Sequence, residues 1–94
     1  MRTTTVVWYF DPNDVERAKD RASNSVRLKD AAVELAGELY REPLRIELSA
    51  DNTLLTVTRG WPDLATAEAW VALVQHESET SLNNNLVSAQ VDPE

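Results

Sequence analysis

Apolar and polar residues recur along this chain with two periods, 2 and about 3.6, and the points where the period switches divide it into elements. The stretch "TTTVVWYF" (Thr3 to Phe10) is β-branched and aromatic throughout, with Val6, Trp8 and Phe10 on one face and Val7 and Tyr9 on the other. Apolar residues on both faces predict a strand covered on both sides. "DPND" follows, and predicts a helix start with Asp11 as N-cap, Pro12 at the first helical position and Asp14 at the third. Helical composition then runs to Arg41 and Glu42, where Pro43 stops it. A single helix of that length would span about 45 Å, whereas a domain of this size is only ~30 Å across. The segment must break, and "SNS" (Ser23 to Ser25) prefers caps to helix interiors. Two helices are expected, Pro12–Ala22 and Val26–Arg41, the second burying Ala32, Leu35, Ala36 and Leu39.

"LRIELSA" alternates, with Leu44, Ile46 and Leu48 inward and Arg45, Glu47 and Ser49 outward, as an edge strand does. "ADNT" predicts a tight turn in which Asp51 and Asn52 tolerate positive φ. "TLLTVTRGW" returns as its partner, with Leu55 and Val57 on one face and Leu54, Thr56 and Thr58 on the other. Asp63 then caps a helix with Leu64, Ala67, Trp70, Val71 and Val74 in one apolar stripe. "HESETSLNNN" reads as a polar loop, and "LVSAQV" (Leu86 to Val91) as a short last strand.

The resulting order, βα(α)ββαβ, is the split βαβ or ferredoxin-like plan: one α+β domain over residues 1–94, with a four-stranded antiparallel sheet. That plan places the first and third strands centrally and the second and fourth at the edges, in agreement with the apolar faces of each strand. Its helices cover one face of the sheet only. The second face, bearing either Val7 and Tyr9 or Val6, Trp8 and Phe10, needs another cover, and a second copy packed sheet to sheet is the simplest one.

Composition narrows the chemistry. The 94 residues include no cysteine, one histidine and two glycines, Gly37 and Gly60. Thiolate nucleophiles, disulfides, Cys- and His-rich metal sites, P-loops and dinucleotide fingerprints are thereby excluded, and no D-x-D-x-D-G calcium loop occurs. The net charge is −7, all nine Lys and Arg lie at or before Arg59, and six acids follow it. This balance disfavours nucleic acid. It serves solubility, or else an acidic C-terminal third that attracts a basic protein partner. No run of apolar residues is long enough to span a bilayer and "MRTTTVV" is no signal peptide, so a soluble cytoplasmic protein without membrane association is expected.

A hairpin ending in Trp, then a short capped helix carrying an aromatic, appears here as "WPDLATAEAW", Trp61 to Trp70. The phrase resembles W-x-[DS]-x-x-A-x-x-x-[WH] of the dimeric α+β barrel superfamily, in its antibiotic-biosynthesis-monooxygenase-like branch. The similarity covers Leu44 to Val74, while the broken first helix departs from the single helix usual there. The resemblance implies a ferredoxin-like homodimer. It also implies either a binding or accessory protein without catalytic machinery, or a cofactor-independent monooxygenase acting on a small aromatic or phenolic molecule. Trp70 matches the helix aromatic of the haem-degrading branch. The first strand has Tyr9 but no Asn, however, and His76 follows Trp70 too closely, so no cofactor is expected.

Each candidate residue has a structural and a functional reading. Trp70 lies on the apolar stripe and is core unless its edge faces a ligand. Trp61, between Gly60 and Pro62, plugs the strand end or stacks on substrate, and Trp8 and Tyr9 are strand aromatics that pack the core or line a pocket. Arg59 shares a face with Leu55 and Val57; it either snorkels and pairs with a carboxylate or meets an anionic or phenolic group at the barrel mouth. His76 sits in the last turn of a helix, where a cation is favourable, or serves as a general base. The ligand-binding candidates are therefore Trp70, Trp61, Arg59 and Trp8, and the catalytic ones Arg59, His76 and Tyr9, with no metal ligands. In "DVERAKDR" the charges read as an exposed helix face with i,i+4 support.

Overall fold

The computed structural model describes residues 1–80 and 85–93, without the side chains of 22–24 and 80. Its elements are β1 (Arg2–Tyr9), α1 (Val15–Asn24), α2 (Val26–Ala36), a 3₁₀ turn (Glu38–Tyr40), β2 (Arg45–Leu48), β3 (Leu54–Trp61), α3 (Leu64–Thr80) and β4 (Leu86–Val91). The sheet order is β2-β3-β1-β4 and every neighbouring pair is antiparallel. β1 and β3 are central, as their apolar composition demands, and the arrangement is α+β with the split βαβ connectivity of a ferredoxin-like sheet.

Register explains the core. Val6 pairs with Val57, Trp8 with Leu55 and Thr4 with Arg59, so these residues point to one face and are buried there. Ala18 of α1, Ala32 of α2 and Ala67, Trp70 and Val74 of α3 are buried against them. Burying a large apolar side chain contributes about 1.5–3 kcal/mol, so this one layer carries most of the stability. The opposite face keeps Thr5, Val7, Thr56 and Thr58 half-buried and leaves Tyr9 and Leu54 exposed. Among the described residues no helix is long and apolar enough to cross a membrane.

Several expectations are corrected at element ends. Asp11 does not cap α1: its carboxylate accepts a hydrogen bond from the Asn13 amide and its carbonyl one from Asp14, forming a turn before Asp14 takes the N-cap position. The second helix stops at Ala36, because Gly37 takes φ 103° and the chain re-enters as the 3₁₀ turn. Leu39 consequently leaves the helical stripe and is 93% exposed. Leu44 and Ile46 are also largely exposed rather than inward, since β2 is a four-residue edge strand at the rim of the core. Leu64, at the start of α3, likewise stays exposed.

α3 also runs further than its polarity suggests, through His76 and on to Thr80. No Gly or Pro interrupts "QHESET", and Arg27 holds Glu77 at 2.6 Å. The rest of the expected loop, residues 81–84, lies outside the described residues. Other local signals match the expectation. Asp63 accepts hydrogen bonds from the Thr66 amide and hydroxyl, both at 2.8 Å, Asn52 takes φ 61° in the hairpin turn, and the last strand spans Leu86–Val91.

Trp61 closes the sheet. It is fully buried, and its indole N–H donates to Thr4 Oγ1 at 2.9 Å across the β1–β3 pair. Thr4→Val keeps the shape but leaves that N–H unpaired in the interior. Urea denaturation should show a loss of about 1–3 kcal/mol, whereas Thr56→Val, on the open face, should stay within about 0.5 kcal/mol of the parent.

Candidate functional site

Polar side chains meet the interior at two places, one on each side of Trp8. The first is built on Arg59, which the alternation of β3 turns inward and which is only 3% exposed. Its Nη1 donates to the carbonyls of Arg41 at 3.1 Å and Tyr40 at 3.4 Å, at the end of the 3₁₀ turn. Its guanidinium carbon lies 5.0 Å from the centroid of Trp70. Trp61 is tilted against Trp70 at 5.0 Å and stacked with Tyr40 at 6.2 Å, so aromatic packing closes the Trp70 side of the cation.

Burial draws the Arg59 guanidinium down to about 10, with the charge of Glu42 acting in the opposite direction. It therefore remains a cation at neutral pH. The expected carboxylate pair is not formed: Glu42 pairs with Lys29 at 3.2 Å, and Arg59 has carbonyls and an indole face instead. Arg59 Nε and Trp70 Nε1 are buried without a hydrogen-bond partner among the described residues.

The second place is a cleft of about 760 Å³ bounded by α1, α2 and α3. Trp8 forms part of its wall, with Leu28, Leu73 and Val74, and Arg17, Arg21 and Arg27 converge on it together with the carboxylates of Asp30, Glu34 and Glu77. The helix break at Ser25 makes room for it, since Ser25 ends α1 and begins α2. Arg21 sits with its guanidinium carbon 5.6 Å from the Trp8 centroid. Burial, and then the charges of Arg17 and Arg27, hold its pKa below the usual arginine value, opposed by Glu77. Past Trp8, Arg21, Ser25 and Leu28, a recess of about 20 Å³ reaches Lys29 and Arg59. That is room for one water-sized group.

The candidates from sequence fall in separate places. Arg59, Trp61 and Trp70 are brought together, but in packed surroundings, and none of the three lines the large cleft. Trp8 lines both the cleft and the recess. Tyr9 points to the opposite face of the sheet, where it is 47% exposed. His76 is exposed on α3, one turn inside the helix end rather than in its last turn. Among the described residues no group of three or more Asp, Glu or His is placed to hold a metal ion.

Sequence reading missed Arg17, Arg21 and Arg27. The available signal was their spacing: Arg17 and Arg21 share a helix face at i,i+4, and Arg27 follows directly after the break. Comparison of the chain with protein-family models, with curated proteins and with solved structures finds no match.

The Arg59 nest separates two substitutions sharply. Methionine fills similar volume without a charge to desolvate, and trading a buried cation for an apolar isostere is often close to neutral. Lysine keeps the charge but cannot lie flat on Trp70 while donating to both carbonyls. Arg59→Lys should therefore lose about 1–3 kcal/mol in urea denaturation and Arg59→Met less than Arg59→Lys. The reverse order would show that the charge itself is what the nest requires.

Proposed function

We propose that this chain is a small-molecule-binding protein that works as a homodimer on a ferredoxin-like scaffold of the dimeric α+β barrel kind. The carrying observation is the cleft between α1, α2 and α3. About 760 Å³ falls within the range of small-ligand sites. Its wall sets the Trp8 ring and the aliphatic side chains of Val26, Leu28, Leu73 and Val74 among charged groups of both signs, a lining that offers an aromatic molecule one apolar surface and polar groups to orient it.

An oxygenase reading needs Arg59, Trp70, Tyr9 and His76 around one pocket, and these lie in three separate places. Binding is therefore the better-supported reading. The dimer reading is supported by the open sheet face. Tyr9 pairs with Leu54 in the β1–β3 register, and with Val7 they form an apolar patch on the side away from the helices. A second sheet packed on this patch would remove it from water.

Two measurements test these readings. Ala31 lines the cleft, so Ala31→Trp should fill it. Titration of the parent with small aromatics should give a saturable change in tryptophan fluorescence that this variant lacks, while its thermal unfolding still shows a folded protein. A non-saturable response in the parent would contradict ligand binding. In sedimentation velocity the parent should run as a dimer at micromolar concentration, and the double variant Tyr9→Lys, Leu54→Lys as a folded monomer. A monomeric parent would overturn the dimer.

A further inference from the structure

We propose that the cleft selects an oxyanion, in the form of a small aromatic carboxylate, and that Arg21 is the residue that holds its charged end. The inference rests on reading the cleft as a ligand site and adds the chemistry of the ligand.

The argument begins with charge. The chain carries −7 overall, yet the recess at the inner end of the cleft is lined by three cations, Arg21, Lys29 and Arg59. No carboxylate among the described residues lines it. Lys29 has Glu42 as its partner, and Arg59 has two carbonyls and the Trp70 face. Arg21 makes no ion pair among the described residues and rests on the Trp8 ring. The other arginines of the cleft are already engaged: Arg27 with Glu77 at 2.6 Å, and Arg17 with Asp14 at 3.8 Å. Their charges still crowd Arg21, which gains from any anion brought beside it.

Geometry then fixes how such an anion lies. Arg21, Trp8, Ser25 and Leu28 border both the cleft and the recess, so they form the neck between the two spaces. The recess, about 20 Å³, takes one oxygen atom and not a whole carboxylate. One carboxylate oxygen enters it, beside Lys29, and the other stays at the neck against the Arg21 fork. The aromatic body remains in the cleft, against Trp8, Leu73 and Val74. The start of α2 borders the same neck, where the Ser25 side chain makes no cap hydrogen bond.

The test compares benzoate, phenylacetate and indole-3-acetate with their uncharged primary amides, by calorimetry on the full chain at low salt. At least one carboxylate should bind at least about tenfold more tightly than its amide, the equivalent of one charge-assisted hydrogen bond. Arg21→Gln should abolish that preference, with unchanged circular dichroism, and Arg21→Lys should restore part of it. An amide that binds as tightly as its acid, or a preference that survives Arg21→Gln, would overturn the oxyanion assignment while leaving the cleft a ligand site. Failure of all six compounds to bind would count against both.

Discussion

The packing of Trp61 at the end of β3 is the constraint on which the rest of this molecule depends. Its ring is wholly buried, its N–H is held by Thr4 of β1, and its faces meet Tyr40 of the 3₁₀ turn and Trp70 of α3. One side chain thus ties two strands, a helix and the end of the α2 connection together. Gly60, next to it, lets Met1 and Leu44 pack closely over the strand end: a Cβ there would come within 2.8 Å of Met1 Sδ and 3.2 Å of Leu44 Cδ1. Arg59, the residue before it, is enclosed by the same aromatic group, so its charge is held by backbone carbonyls and an indole face.

That packing makes the protein asymmetric. Around Trp61 and Trp70 the space between sheet and helices is filled by rings. Towards the other end of β1, the small residues Ala18 and Ala32 let α1 and α2 approach the sheet, and the break at Ser25 lets the two helices diverge. Trp8 stands between these halves. The cleft and its inner recess border it, and the desolvated Arg59 marks where the recess ends in the aromatic packing. A filled half supplies rigidity and an open half supplies space, which is how a small domain holds a ligand site without losing its core.

Much of this was legible in the residues. Two-sided apolar composition placed β1 and β3 at the centre, and Asp63 marked the start of α3, because strand periodicity and N-caps are local signals. Trp61 and Trp70 were readable as a strand–helix joint, and alternation alone put Arg59 on the face of Leu55 and Val57, which the structure shows to be the inner one. Features set by longer-range geometry were not legible. Asp11 before Pro12 reads as the cap and Asp14 as the third helical residue, and the turn at Asn13 instead moves the N-cap position to Asp14. Leu39 fits a helical stripe until Gly37 turns the chain out of it. The arginines of α1 and α2 resemble a solvated face, because their convergence depends on the break angle at Ser25 and on how α1 lies over Trp8.

The central claim is that ligand contact occurs at Trp8 and not in the Trp61–Trp70 packing. The three tryptophans supply three indole N–H signals, one at the cleft and two in the filled half. A two-dimensional ¹H–¹⁵N spectrum followed during titration with an aromatic carboxylate tests this directly. On this account the Trp8 signal moves with saturation while those of Trp61 and Trp70 stay in place. Movement of the Trp61 and Trp70 signals with Trp8 unchanged would contradict it and return the site to Arg59 and the aromatic nest.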